Sequence, residues 1–492
     1  MRALRTAAAL LLCALAAAPL IASARITIVN TNQPGVGFND TTSATPIGGN
    51  AGTTLGSQRL NAFQKAAELW GALLDSDVDI RIKASFEPLE CTATTGTLGA
   101  AGPASSLLDF ENAPLPGTWY PVALANKIAG RDLLPAAAGH ITAKFNSNVG
   151  TSGCLESSQW YYGLDNQHGD RIDLVSVLLH EFGHGLGFLT LVDPASGSEF
   201  LGSPDVFERH ILDTSTGIHW NTMTALERKA SALRTGALVW DSPSVTAAVP
   251  GTLSGRPVLT VTEPVALSGD FPVGTADFGA ALTIAGVSAD LIAAADAENA
   301  DGPTATDACS TLDNAAEIAG RIALVDRGEC TFVVKAQNVQ AAGAIGMVVA
   351  NNVADTSTLG MAGDDATITI PIASVTQADG ATIRASLATG VAVRMRLDPD
   401  HRSGADAENR MLLFAPDPVE PGSSTSHWDT SAYPHLLMQP NNSSDLPHAV
   451  DLTLPLLQDI GWASVPVPEP EPREPVQRVP RTDSPRNVGP RP

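Results

Sequence analysis

Basic residues are scarce in this sequence. Its 492 residues include 29 Lys and Arg against 52 Asp and Glu, which gives a formal net charge of −23. Nucleic acids and anionic membrane surfaces attract clusters of positive charge, so the composition argues against both as partners. Beyond the N-terminal segment, the sequence also lacks an apolar run of the roughly 20 residues that a membrane-spanning helix needs. We therefore expect a chain with no membrane anchor and no nucleic-acid partner.

The one pronounced apolar run lies at the N-terminus. Arg2 and Arg5 precede the run over residues 7–21, and an Ala-Ser-Ala tripeptide follows it. A short basic stretch, an apolar run of this length and a small-x-small ending are typical of a secretory signal peptide. The sequence therefore predicts a signal peptide over residues 1–24 and a secreted or periplasmic protein.

Cysteine is scarce too. Of the five cysteines, Cys13 lies in the predicted signal peptide, which leaves Cys91, Cys154, Cys309 and Cys330. An even number in an exported chain predicts two disulfides, and these four lack the close spacing of a thiolate metal site. Four cysteines allow three pairings. Proximity in the sequence favours Cys91 with Cys154 and Cys309 with Cys330.

The segment from Leu178 to Phe188 carries the strongest chemical signal. It contains His180, Glu181 and His184, and residues four apart lie on one face of a helix, so both imidazoles can bind the same metal ion. A glutamate beside two such ligands can accept a proton from a zinc-bound water. The pattern predicts a hydrolytic zinc centre. The alternative is a buried helix that carries two core histidines and a glutamate.

Two residues delimit this helix. Asp173 can cap its N-terminus, and Gly187 can adopt the positive φ of a sharp turn behind it. A catalytic zinc ion needs three protein ligands and one open position, so a third ligand must come from elsewhere in the chain. Because a glycine ends the helix, downstream candidates would be reached by a loop. These candidates are Glu199, Asp205, Glu208 and His210.

Sequence periodicity around the helix predicts an α/β fold. Apolar residues recur at helical spacing from Leu60 to Leu74, which predicts an amphipathic helix. Apolar and polar residues alternate over 78–86 and again over 141–145, which predicts two half-buried strands. A further strand is predicted at residues 26–29. We expect an α/β layer in which the histidine-bearing helix packs on a sheet.

A second module lies further along the chain. The stretch Gly320–Phe332, a predicted helix over Lys335–Ala342 and the apolar stretch Gly343–Val349 form a strand–helix–strand unit. Together with Ile370-Pro371-Ile372 and Asp379-Gly380, this unit resembles the protease-associated domain. The resemblance implies an inserted α/β module that contacts substrates or partners and carries no catalytic residues.

The histidine motif resembles the metzincin clan of zinc peptidases, and most closely its leishmanolysin branch. The resemblance rests on the extension of the motif to Gly187-Phe188, on His427-Trp428 followed by an acidic residue, and on Leu437-Met438. It implies that His427 is the third zinc ligand and that Met438 forms the methionine turn beneath the metal. Thr190 stands where short-spaced metzincins have their third histidine, which excludes those subfamilies.

Three other residues compete with His427 for the third position. His435 lacks the flanking pattern of the leishmanolysin branch, and His448 follows a proline in a polar loop. Glu208 would give a glutamate-ligand zinc centre, but the glycine-terminated helix and the absence of an Asn-Glu pattern argue against it. His427 is therefore the preferred third ligand.

The resemblance implies a metzincin-like catalytic domain of the α/β (α+β) class, with a twisted mixed sheet and a zinc helix. We expect one Zn²⁺ bound by His180, His184 and His427, with Glu181 as the general base that activates water against peptide bonds. Protein or peptide substrates would pair with the strand from Ile141 to Ser147, as with the edge strand of metzincins. The sequence therefore predicts a secreted zinc endopeptidase.

An exported binding protein, or an inactive peptidase with a structural zinc site, is the alternative. The intact Glu181 argues against it, because a structural site has no use for a base. Calcium would suit an Asp-rich exported chain, but no calcium-loop pattern is present, and we expect a monomer. The predicted division is a signal peptide (1–24), a peptidase domain in two parts (25–255 and 399–463), an inserted protease-associated domain (256–398) and a disordered Pro-rich tail (464–492).

Overall fold

The computed structural model describes residues 23–135, 137–300, 302–354 and 358–464. The predicted signal peptide therefore lies outside the described residues except for its last two, and the predicted tail lies outside them except for its first. Within the described part of the chain, no helix is long and apolar enough to cross a membrane.

The N-terminal part of the chain forms a four-stranded mixed sheet. Its strands are β1 (Ile26–Asn30), β2 (Ile80–Glu87), β3 (Gly99–Pro103) and β4 (Ile141–Asn146). Their order is β1–β2–β4–β3, in which β1, β2 and β4 are parallel and β3 runs antiparallel to β4 at the edge. The mixed sheet agrees with the α/β class predicted from the sequence.

The edge of this sheet differs from the prediction. The strand predicted to receive the substrate, Ile141–Ser147, corresponds to β4, which is internal because it pairs with β2 on one side and β3 on the other. The true edge strand, β3, has the sequence Gly-Ala-Ala-Gly-Pro. It contains neither β-branched residues nor an apolar alternation, so local sequence gave no signal for it. Pairing with β4 alone makes this segment a strand.

Helices cover the sheet, and one of them carries the histidine motif. The first three are α1 (Leu55–Leu73), α2 (Val122–Ala129) and α3 (Leu174–Leu186). The indole N–H of Trp70 in α1 donates to the carbonyl of Leu179 in α3 at 3.0 Å. In α3, a Cβ at Gly185 would lie 2.4 Å from Ile141 of β4. The absence of a side chain there allows α3 to pack closely on the sheet.

Shorter elements complete the first part of the chain. A small four-stranded sheet contains Ile211–Asp213, Ile218–His219, Leu238–Trp240 and Met411–Leu412. Three two-stranded pairs join Leu74–Asp75 to Ala463–Ser464, Ser106–Leu108 to Trp119–Pro121, and Trp160–Tyr161 to Ile172–Asp173. Two further helices are α4 (Ala225–Ser231) and α5 (Pro243–Thr252).

The inserted module is built on an eight-stranded sheet. The strands are β5 (Gly255–Glu263), β6 (Gly269–Pro272), β7 (Gly274–Thr275), β8 (Val287–Ala293), β9 (Ile322–Asp326), β10 (Gly346–Ala350), β11 (Ile372–Val375) and β12 (Ala392–Arg402). Their order is β6–β5–β12–β8–β9–β10–β11–β7. The helices are α6 (Ala315–Ile318), α7 (Phe332–Ala341) and α8 (Gln377–Ser386). Strands β9 and β10 with α7 form the predicted strand–helix–strand unit.

The two parts of the chain have separate apolar cores. Buried apolar residues of the insert form two clusters between residues 259 and 395, whereas those before residue 254 and after residue 410 share one cluster. That shared cluster contains Phe182 of α3 together with Trp428 and Met438. The last helix, α9 (Thr453–Ile460), also belongs to it. The chain therefore returns to the first core after the insert, while the predicted domain boundaries stay predictions.

Two disulfides are present, and their pairing is the predicted one. Cys91 is bonded to Cys154 in the first part of the chain, and Cys309 to Cys330 in the insert. Each bond joins two residues of the same part of the chain. Disulfides form and persist in oxidising compartments, which fits a protein exported from the cell.

Candidate metal centre

Helix α3 begins and ends as its sequence predicts. The carboxylate of Asp173 accepts a hydrogen bond from the Ser176 backbone N–H at 3.1 Å, which satisfies one of the free N–H groups of the first turn. Gly187 ends the helix with a φ of 130°, a conformation that residues with a side chain rarely adopt. The chain reverses there, so the segment after Gly187 runs beside the histidines instead of continuing the helix.

Three imidazoles meet at one point beside α3. The Nε2 atoms of His180 and His184 are 3.1 Å apart, and each lies 3.2 Å from Nε2 of His427. His180 and His184 are one helical turn apart, whereas His427 comes from 243 positions beyond His184. The structure therefore brings together the three histidines that the sequence analysis selected as ligands.

Backbone carbonyls orient all three rings. The Nδ1 atoms of His180, His184 and His427 lie 2.6, 2.7 and 2.8 Å from the carbonyl oxygens of Leu437, Phe188 and Ser423. A carbonyl can only accept, so each Nδ1 carries the proton and each Nε2 keeps its lone pair. Burial lowers the pKa of all three imidazoles, to about 3 for His427. The rings are therefore neutral and aim three unprotonated nitrogens at one point.

This arrangement fits a zinc ion. Three lone pairs at 3.1–3.2 Å from one another repel unless a cation lies between them. In tetrahedral zinc sites, Zn–N bonds of about 2.0–2.1 Å separate the ligand nitrogens by about 3.3–3.4 Å. Among the described residues, these histidines are the group of three or more potential metal-binding side chains that lie close enough to share an ion.

Glu181 lies next to the histidines and is almost fully buried. Its side chain accepts a hydrogen bond from the backbone N–H of Ala101 in the edge strand β3. Burial raises the pKa of this carboxyl to about 8, so it can hold and release a proton near neutral pH. Two residues earlier in β3 is Gly99, where a Cβ would lie 3.1 Å from Cγ of Glu181. The edge strand thus fixes the carboxyl that the sequence analysis assigned as the base.

Met438, which the resemblance to metzincins assigns to the methionine turn, packs against the helix that carries two of the histidines. It is completely buried, and a Cβ at Gly183 of α3 would lie 2.9 Å from its sulfur. The glycine inside the histidine motif therefore leaves the room that this side chain occupies. The thioether packs against the helix, so its position fits an apolar floor.

Asp451 is a buried residue at the centre that sequence reasoning missed. Its carboxylate accepts a hydrogen bond from the backbone N–H of Leu437 at 2.5 Å. The carbonyl of Leu437 in turn accepts a hydrogen bond from Nδ1 of His180. Asp451 also accepts the N–H of Thr453 at 3.1 Å, near the start of α9. An aspartate two residues before a helix predicts a cap, and no pattern in the sequence links that cap to a histidine far away.

The competing ligand candidates lie outside the histidine group. His435 pairs with Asp445 at 2.8 Å, and His448 pairs with Asp173 at 3.1 Å. Of the loop residues after α3, His210 lies 2.5 Å from the hydroxyl of Ser242. Glu199 forms an ion pair with Arg228. Asp205 accepts hydrogen bonds from the backbone N–H groups of Leu191 and Glu208. Glu208 accepts one from the backbone N–H of Asp205.

A cleft of about 610 Å³ opens over the histidines. Its lining includes residues 96–101, which contain the first three residues of β3, and residues 440–442 and Leu446. Among the described residues that line it, the acidic and basic side chains are those of Glu181 and the three histidines. The described lining therefore has no separate charge to hold a chain terminus.

Comparison with known proteins identifies the insert. The family model of the PA domain matches residues 287–383, which confirms the predicted protease-associated module. The matched residues include neither α3 nor His427, so this match names a module and not the family of the whole chain.

Relatives and solved structures match the chain only in part. Signal peptide peptidase-like 3 of Arabidopsis thaliana is 31% identical over 151 residues, 30% of this chain and 26% of that protein. The probable leucine aminopeptidase 2 of Aspergillus fumigatus is 40% identical over 74 residues, 15% of each chain. The chain thus spans about a quarter or less of the length of these two relatives. An aminopeptidase from Aneurinibacillus sp. strain AM-1 shares 19% identity and a TM-score of 0.23 over 30% of this chain and 32% of its own. Likeness of this extent leaves the activity to be argued from the site.

Proposed function

We propose that this protein is a secreted zinc-dependent endopeptidase of the metzincin type, similar to the leishmanolysin branch. The observation that carries the proposal is the convergence of three unprotonated Nε2 atoms beside the buried carboxyl of Glu181. A structural zinc site fills its fourth position with a protein ligand and needs no base. The cleft over the histidines keeps that position accessible.

The chain's own residues supply the remaining chemistry. His180, His184 and His427 would hold zinc, which when bound supplies the Lewis acidity that such hydrolysis requires. Glu181 accepts a proton from the attacking water and then donates it to the leaving amine.

The edge strand β3 is proposed to hold the substrate in an extended conformation. Residues Gly99–Ala101 line the cleft, and β3 pairs with β4 along one side only. The free edge of a terminal strand can pair with an extended peptide through backbone hydrogen bonds. This replaces the assignment of that role to the strand Ile141–Ser147, which is internal to the sheet.

The cleft favours cleavage inside a chain over removal of terminal residues. An enzyme that selects a free N-terminus needs a negative group to bind the α-ammonium, and one that selects a C-terminus needs a cation. Apart from Glu181 and the histidines, the described lining offers neither. Although some of the matched proteins are named aminopeptidases, we therefore propose endopeptidase activity. A blocked, internally quenched peptide should be cleaved, whereas an aminoacyl nitroanilide should not.

Substitution of the base tests the proposed function. Glu181→Ala should retain one zinc per chain, because the carboxyl is not a ligand, and should lose cleavage of casein by at least roughly 100-fold, the lower end of the range for general-base catalysis. Full activity of Glu181→Ala would refute the mechanism.

The third ligand is tested by a matched pair of histidines. His427→Ala should lose both zinc and activity. His435→Ala, eight positions away and paired with Asp445 at the surface, should retain both. Retention of zinc by His427→Ala would remove that residue from the centre.

A further inference from the structure

A short loop after α3 contacts both segments that carry the histidines, α3 itself and the turn before His427. The carbonyl of Phe188 accepts the proton of His184. Two residues on, the backbone N–H of Thr190 donates to the hydroxyl of Ser426 at 3.2 Å, and Ser426 directly precedes His427. The position of this loop therefore affects the orientation of His184 and the approach of His427 together.

Asp205 anchors that loop through hydrogen bonds. Its Oδ2 atom accepts the hydroxyl of Thr190 at 2.8 Å and the backbone N–H of Leu191 at 2.5 Å. Its other oxygen accepts the N–H of Glu208 at 2.7 Å. The side chain is 3% exposed, and hydrogen bonds to a buried carboxylate are stronger than those between neutral groups. One carboxylate thus fixes two consecutive residues of this loop, Thr190 and Leu191.

The segment that delivers His427 needs such an anchor. Thr425 has a φ of 65° and is completely buried, a conformation that is strained for a β-branched residue. Strained residues persist where surrounding contacts hold them. The hydrogen bond from Thr190 to Ser426 is one contact on this turn, and the carbonyl of Ser423 that accepts the proton of His427 is another.

We propose that Asp205, acting through Thr190, is a positioning residue for the metal centre that holds the loop 188–191 against the Ser423–His427 turn. The inference rests on the proposed zinc site. It gives a role to Thr190, which stands where short-spaced metzincins have a ligand and here connects Asp205 to the segment of the remote third histidine. Asp205 touches neither substrate nor metal, so its effect must appear first in metal binding.

Four variants test this role. Asp205→Asn removes the charge, Thr190→Val removes the hydroxyl at constant shape, and Ser426→Ala removes the acceptor. Thr190→Ser keeps the hydroxyl and should therefore keep the zinc affinity of the wild type. Zinc affinity is measured by competition with a chromophoric chelator, and ligand geometry by the visible absorption spectrum of the cobalt-substituted protein. Partners of metal ligands typically contribute roughly 10- to 100-fold to metal affinity, so we expect a loss of about 10-fold in the first three variants.

A matched buried aspartate separates positioning from general stability. Asp213 is also fully buried and accepts the hydroxyl of Ser231 at 2.7 Å, but none of its contacts reaches the histidines. Asp213→Asn should lower Tm and leave zinc affinity and the cobalt spectrum unchanged. If Asp205→Asn and Thr190→Val behave like Asp213→Asn, the inference is wrong.

The outcomes distinguish this inference from the proposed function. A wild-type chain that does not bind zinc would refute the proposed function itself. If the wild-type chain binds zinc and Asp205→Asn and Thr190→Val bind it with the same affinity, only the positioning role is refuted. Should Asp205→Asn fail to fold, Thr190→Val and Ser426→Ala decide, because Ser426 is partly exposed and both changes remove a single polar group.

Discussion

Gly99 offers a sharp test of how the edge strand and the proposed base fit together. A Cβ at this position would lie 2.9 Å from Cδ1 and Cε1 of Phe145 and 3.1 Å from Cγ of Glu181. Carbon atoms in contact prefer about 3.5–4.0 Å, so Gly99→Ala requires a movement of roughly 0.5–1 Å somewhere. Phe145 cannot provide it, because its ring is completely buried and packs edge-on against Phe63 at 4.9 Å.

The movement must therefore fall on β3 or on Glu181. Overpacking of this kind costs about 1–3 kcal/mol of stability, and a misplacement of about 1 Å in a catalytic group can cost roughly 100-fold in rate. We expect kcat of Gly99→Ala on casein to fall by roughly 10- to 100-fold. Zinc content should be unchanged, because the histidines are not displaced.

The same strand supplies the control for Gly99. Gly102 has open space around its ideal Cβ, lies outside the cleft lining and is also paired with β4. Gly102→Ala should keep kcat within about twofold, since only a small backbone-entropy gain is expected. Equal losses in the two variants would show that any alanine in β3 is harmful, and an unchanged Gly99→Ala would show that the strand does not fix Glu181.

Two further predictions concern stability. Burial, with the charge of Asp205 nearby, raises the pKa of Glu208 from 4.5 to about 8. The folded state then keeps a proton that the unfolded state loses, so this group lowers stability as pH rises from about 4.5 to 8. In calorimetry, Glu208→Gln should therefore raise Tm more at pH 8 than at pH 5. Equal increases in Tm at the two pH values would contradict this prediction. Replacing Cys91 and Cys154, 63 positions apart, by serine should lower the urea-derived free energy of unfolding by about 2–4 kcal/mol, and an unchanged value would refute the expected link.

The sequence identified side chains whose role depends on local spacing. His180, Glu181 and His184 share one helix, and the capping residue Asp173 and the terminating Gly187 lie at its ends. All of these relations fall within 15 residues of chain, where helix geometry fixes distances. The structure shows the helix with these boundaries, Leu174–Leu186. His427 needed a different source, the resemblance of its flanking residues to a known family.

What the sequence could not give are relations made through the backbone. The carbonyls that orient the three imidazoles belong to Leu437, Phe188 and Ser423, and any residue type has a carbonyl. The edge strand is a similar case, because Gly99–Pro103 becomes a strand by pairing with β4 and not by composition. Such groups leave no pattern in the sequence, so they are found only once the tertiary structure brings them beside the site.

The insert explains how a ligand 243 positions away can still complete the centre. Its first and last strands, β5 and β12, are paired, with Gly255 opposite Arg402, and the N–H of Ser403 donates to the carbonyl of Ser254 at 3.0 Å. The chain thus returns to within one strand spacing of the point where it left. The insert accounts for more than half of the sequence gap between His184 and His427, yet its two ends lie side by side. Insertions whose ends lie close together are tolerated for this reason, so the distance between ligands in sequence places little constraint on their distance in space.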